Sequence, residues 1–147
     1  MTKVLIMLGS NSDSQYADDC KAVLTQFGIP ADIEISSAHR QPDRTDSLSK
    51  SAAASGYEVV ICMAGMAAAL PGVVAARTHL PVIGVPLPAS LNGLDSLLSI
   101  AQMPGGVPVA TMGIGTAGAK NAAHLAIRIL ALKYPDIKAK LEQAFSK

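Results

Sequence analysis

Two short stretches of this chain concentrate the side chains that could grip an anion and move a proton. In Ser36-Ser-Ala-His-Arg-Gln-Pro42, His39 supplies an imidazole, the side chain most often used to move a proton, and Arg40 carries a planar fork suited to phosphate. In Gly9-Ser-Asn-Ser-Asp13, a glycine and two hydroxyls arrive at what reads as a helix start, where backbone N–H groups and the positive helix end favour an anion. Gly9–Asp13 matches neither nucleotide fingerprint: this stretch lacks the G-x-G-x-x-G spacing, and no Lys-Ser/Thr pair follows its glycine. A sugar phosphomonoester therefore suits the stretch better than a dinucleotide. Both stretches also allow a plainer reading, in which Ser12 or Asp13 caps a helix while His39 and Arg40 are surface residues at a helix start.

A third stretch, Ala64-Gly-Met-Ala-Ala-Ala-Leu-Pro-Gly72, is a run of small residues that lets a ligand approach the backbone, or equally lets a helix pack closely on a sheet. His79 and His124 stand alone. Asp95, Gln102 and Asn121 lie in the glycine-rich second half, where each caps a helix or ties a turn as readily as it meets a ligand. No Cys/His cluster, H-E-x-x-H or carboxylate group has metal-site spacing, and no Ser-His-Asp signature points to covalent hydrolysis.

Positioning these stretches calls for strands alternating with helices. Lys3–Leu8 is an unbroken apolar run before Gly9, as in a strand buried on both faces of a parallel sheet. From Ser14 to Phe27, Ala17, Cys20, Val23, Leu24 and Phe27 recur at helical steps, and Gly28 and Pro30 close the helix. Ala31–Ile35 reads as a second strand and Pro42–Ser55 as a helix with proline in its first turn. The unit repeats with strand Glu58–Met63, turn Ala64–Ala69, helix Leu70–Thr78 and strand Pro81–Pro86. The irregular stretch Leu87–Pro108 holds one helix, Leu94–Ala101, and is placed to act as a lid. Strand Val109–Met112, helix Ala117–Leu132 and an amphipathic helix Asp136–Phe145 complete the chain.

This alternation predicts an α/β single domain, a three-layer α/β/α sandwich on a parallel, flavodoxin-like sheet. Residues 1–133 form the α/β domain, and 134–147 a C-terminal helix that is part of it or an oligomer contact. Loops at the carboxyl ends of neighbouring strands meet at one crevice in such a sheet, so Gly9–Asp13 and Ser36–Gln41 should face each other.

Bulk composition narrows the partners. In 147 residues, 50% are hydrophobic and only 16% charged, which leaves apolar surface for other copies to cover and predicts a homo-oligomer. Twelve basic against eleven acidic side chains, with no basic run, argue against nucleic acid as a partner. Cys20 and Cys62 form no disulfide framework, and Val4–Leu8 is too short for a secretion signal or membrane span, so the expected location is the cytoplasm.

With these loops in view, the chain closely resembles the class I N5-carboxyaminoimidazole ribonucleotide mutases of bacterial purine biosynthesis. The likeness rests on Gly9-Ser-Asn-Ser-Asp13, Ser37-Ala-His-Arg40 with Pro42, Leu70-Pro-Gly72, Gly84-Val-Pro86, Leu91-Asn-Gly-Leu-Asp-Ser-Leu97, Gln102-Met-Pro104, and Gly118 with Asn121-Ala-Ala123, in that order along nearly the whole chain. The resemblance implies transfer of a carboxylate from N5 to C4 of an aminoimidazole ribonucleotide, without metal, ATP or redox cofactor, in an octamer with sites near subunit contacts. Carried over by position, Ser10, Ser12, Ser37 and Arg40 would hold the phosphate, Asp13 the ribose hydroxyls, and His39 would shuttle the proton. Gly9, Ala38, Ala64, Gly65, Ala69 and Leu70 would complete the substrate-binding set.

Two departures stand out. Where the family usually has Gly-Ala-Gly and then Ala-Ala-His-Leu-Pro-Gly, this chain has Met63-Ala-Gly65 and Ala67-Ala-Ala-Leu-Pro-Gly72. Ala69 thus stands in place of a second histidine and can neither donate a hydrogen bond nor relay a proton. Two other functions stay open at this point: a non-catalytic nucleotide-binding module that kept the fold, and a carboxylase that takes free CO2 and the uncarboxylated ribonucleotide.

Overall fold

The computed structural model describes residues 2–147. Five parallel strands, β1 (Lys3–Leu8), β2 (Ala31–Ile35), β3 (Tyr57–Gly65), β4 (Val82–Leu87) and β5 (Ala110–Thr111), form one sheet ordered β2-β1-β3-β4-β5. Six α-helices connect and cover them: α1 (Ser14–Gln26), α2 (Pro42–Ser51), α3 (Leu70–Ala75), α4 (Leu94–Ala101), α5 (Thr116–Ala131) and α6 (Pro135–Phe145).

The unbroken apolar run of β1 is explained by its two covered faces. Val4, Ile6 and Leu8 join a core with Ala17, Leu24, Ala122, Ile127 and Ile137, against α1, α5 and α6. Leu5 and Met7 join a second core with Leu70, Val74 and Ile100, against α3 and α4. The same alternation splits Val59, Ile61 and Met63 from Val60, Cys62 and Ala64 along β3. The expected α/β/α sandwich is therefore present, and its strand order is the flavodoxin-like one. Ile137 of α6 is buried in the first core, so residues 134–147 pack with the rest of the chain. No described helix is long and apolar enough to cross a membrane.

Several boundaries differ from expectation. β3 runs on through Ala64 and Gly65, because these small residues pair in register with Pro86 and Leu87 of β4 instead of turning away. Helix α2 ends at Ser51, four residues early, where the chain passes into tighter turns, Gly56 N donating to Ala53 O and Tyr57 N to Ala52 O, both at 3.1 Å. Helix α3 is similarly short, ending at Ala75.

Candidate active site

The order β2-β1-β3 places a topological switch between β1 and β3: the connection from β1 runs to one side of the sheet, while β3 and its successors lie on the other. A cleft of about 610 Å³ opens there, at the carboxyl ends of β1 to β4. One wall is polar, carrying Ser10, Ser12, Asp13, Ser37, His39 and Arg40; the other is apolar, built from Ala64 to Leu70 with Leu87, Pro88 and Ala89. Gly9 and Ala38 also line it, so every residue that the resemblance assigns to substrate binding or proton transfer borders this one cleft.

Backbone hydrogen bonds set the loops in place. Gly9 N donates to Met63 O at 3.3 Å and Ser36 N to Leu8 O at 2.9 Å, anchoring the loop after β1 to β3 and the loop after β2 to the end of β1. After β1 the chain makes a 3₁₀ turn at Asn11–Asp13, whose cap is Ser10: its Oγ accepts from Ser12 N at 3.3 Å and lies 2.9 Å from Ser12 Oγ. Asp13 then stands at the cap position of α1 but makes no capping hydrogen bond with its side chain. The capping role expected of Ser12 or Asp13 thus falls to Ser10, and both Ser12 and Asp13 border the cleft. Burial pushes the Asp13 carboxyl above the ordinary carboxylate range.

The second loop is closed on itself. Gln41 N donates to Ser37 O at 2.8 Å and Arg40 N to Ser37 Oγ at 3.1 Å. Beneath it Ser36 Oγ and Thr45 Oγ1 share a buried 2.7 Å hydrogen bond, which pins the loop to α2. His39 and Arg40 are held exposed at the rim. Among the described residues Arg40 makes no ion pair, whereas Arg44 meets Glu34 at 2.6 Å and Arg77 meets Asp46 at 2.7 Å. A guanidinium without an ion-pair partner, on the same cleft as the Ser10, Ser12 and Ser37 hydroxyls, is a fork open to an incoming anion.

Ala69 lines the cleft at the start of α3, half-buried. Met63 is fully buried in the core shared with α1 and α5, behind the cleft and not in it. The weaker candidates lie elsewhere. His79 borders a separate cavity at the opposite end of β4, and His124 is exposed on α5, edge-on to Phe27 with ring centroids 6.3 Å apart. Asp95, Gln102 and Asn121 do not reach the cleft. Leu87 to Ala89 alone of the expected lid border it; the helix within that stretch packs on β4, with Ile100 buried in the second core. Pro88 and Ala89 were not singled out from sequence, although their place after the fourth strand is the signal that finds them.

A doubly wound parallel sheet with a half-polar, half-apolar cleft at its switch point defines a small-molecule enzyme of the flavodoxin-like class. Within that class the chain belongs to the AIR carboxylase family, whose profile matches residues 3–147. The N5-carboxyaminoimidazole ribonucleotide mutase of Saccharolobus solfataricus is 54% identical over 144 residues, 97% of this chain and 90% of that protein. The mutase of the same name from Thermotoga maritima is 54% identical over 144 residues, 97% of this chain and 83% of that protein. A solved structure of Treponema denticola PurE superposes with a TM-score of 0.89 at 32% identity, covering 99% of this chain and 90% of that one. The family read from the ordered motifs is the family found.

Proposed function

We propose that this chain is an isomerase of purine biosynthesis that converts N5-carboxyaminoimidazole ribonucleotide to its C4-carboxylated isomer. The observation that carries this reading is the convergence of an anion-binding wall, a single histidine and an apolar wall on one cleft, in a chain 54% identical to a mutase of that name. Ser10, Ser12, Ser37 and Arg40 hold the ribose phosphate, and Asp13 takes the ribose hydroxyls. Gly9 and Ala38 let the ligand approach the backbone, while Ala64, Gly65, Ala69 and Leu70 form the dry side against the imidazole.

The chemistry then needs one proton carrier. The N5–carboxylate bond breaks as N5 takes a proton from His39, leaving CO2 and an amino-imidazole whose C4 is nucleophilic. C4 attacks the CO2 carbon, and His39 recovers a proton from C4, so the proton count closes and no co-reactant is consumed. Ala69 has no part in this sequence, which is how the reaction proceeds without a second histidine. No metal, nucleotide triphosphate or redox group enters the balance.

The chain acts as a cytoplasmic homo-oligomer, an octamer by its resemblance to the class I mutases. Leu91, Leu94 and Leu98, 62%, 56% and 50% exposed on and before α4, support association of copies.

Product formation from purified protein, with and without added bicarbonate, tests the function. Conversion of the N5-carboxylated ribonucleotide at a rate independent of bicarbonate is expected. Product made only from the uncarboxylated ribonucleotide plus bicarbonate would select the direct carboxylase in its place.

A further inference from the structure

Met66 is the one long side chain that stands free on the apolar wall. The other wall residues are Gly65, five alanines and Pro88, while Leu70 and Leu87, 1% exposed each, are committed to the core behind. Met66 is 61% exposed and borders the cleft. Its φ is +52°, in the left-handed region that a methionine adopts only against a steric penalty. Such a backbone at a cleft rim persists when the surrounding structure holds it there, and it aims a flexible, polarisable thioether chain at whatever enters.

Resting on the reading above, we infer that Met66 folds over the bound imidazole and closes the apolar wall, so that CO2 released from N5 stays beside C4. The wall needs such a cover. Ala67, Ala68 and Ala69 are too short to bridge an open cleft, and CO2 carries no charge for the polar wall to hold. A methionine suits the role because three rotatable bonds let it lie back in the free protein and pack down on the ring when substrate binds.

Trapping with ¹³C-bicarbonate, kept in equilibrium with CO2 by added carbonic anhydrase, measures the escape directly. The parent, Met66→Gly and Met66→Leu are each given unlabelled N5-carboxylated ribonucleotide, and the label in the C4 carboxylate and the uncarboxylated ribonucleotide released are counted. Met66→Gly relieves the φ of +52° and should fold at least as stably as the parent, with its melting temperature checked beside it. The expected result is several-fold more label in its product, or more uncarboxylated ribonucleotide released, with Met66→Leu close to the parent. Equal label and equal release in Met66→Gly and parent would overturn the inference, as would a Met66→Gly enzyme that consumes no substrate. A parent that makes no product from the carboxylated ribonucleotide would instead overturn the functional reading, and this inference with it.

Discussion

At the scale of single residues, the cleft presents side chains that the fold leaves unengaged. Asp13 occupies a cap position without capping, and Arg40 has no ion-pair partner among the described residues, while the neighbouring Arg44 and Arg77 are both paired. Removing the fork should affect binding more than chemistry: Arg40→Ala is expected to raise KM roughly 10- to 100-fold with kcat little changed, the size of a lost charge-assisted hydrogen bond. Steady-state kinetics check this, and an unchanged KM would contradict the phosphate assignment. The residue types at the cleft were legible in the sequence because serine, histidine and arginine directly after buried strands fall where the loops of a parallel sheet converge, although each stretch alone also had a structural reading. The left-handed backbone of Met66 was not, since φ is imposed by the surrounding loop and methionine carries no signal for it.

At the scale of elements, what could be read was what burial writes into residue type. β1 and α4 have the expected bounds because an unbroken apolar run and a run opened by Gly93 leave little choice. The carboxyl end of β3 could not be read in this way, because Ala64 and Gly65 look like a turn and become strand only by pairing with β4. Close approach between elements is equally invisible without coordinates. Gly118, in the first turn of α5, lies where a Cβ would sit 1.7 Å from the carbonyl oxygen of Gly113. Gly118→Ala must therefore push α5 away from the loop before it, and a loss of about 3 kcal/mol, the upper range for overpacking a tight site, is expected in urea unfolding. A variant as stable as the parent would mean that the loop yields freely and that this contact does not set the position of α5.

At the scale of the whole molecule, the sheet is tied to the far end of the chain by a cluster that no local pattern announces. Glu58, at the start of β3, receives an ion pair from Lys133 and a 2.6 Å hydrogen bond from Tyr134 Oη, some 75 residues away. Burial alone would raise its carboxyl; the hydrogen bond and charge of Lys133, with Thr2 and Tyr134 beside it, outweigh that and bring it down from 4.5 to about 2. A carboxyl depressed in the folded state contributes stability above its unfolded pKa and loses it as pH falls toward the folded value. Urea midpoints should accordingly drop between about pH 4.5 and pH 2, and Glu58→Gln should be less stable at neutral pH with a flatter profile across that window. Parallel profiles for the two proteins would remove Glu58 from the acid response. The function of the whole is tested most directly by giving purified protein N5-carboxyaminoimidazole ribonucleotide and following the C4-carboxylated product by absorbance, with His39→Asn run alongside. The parent should turn over, and the variant, folded alike, should lose at least about 10²-fold in kcat, the contribution of a positioned proton carrier. A parent that binds the ribonucleotide but makes no product would contradict the account and leave a binding protein on an enzyme's frame.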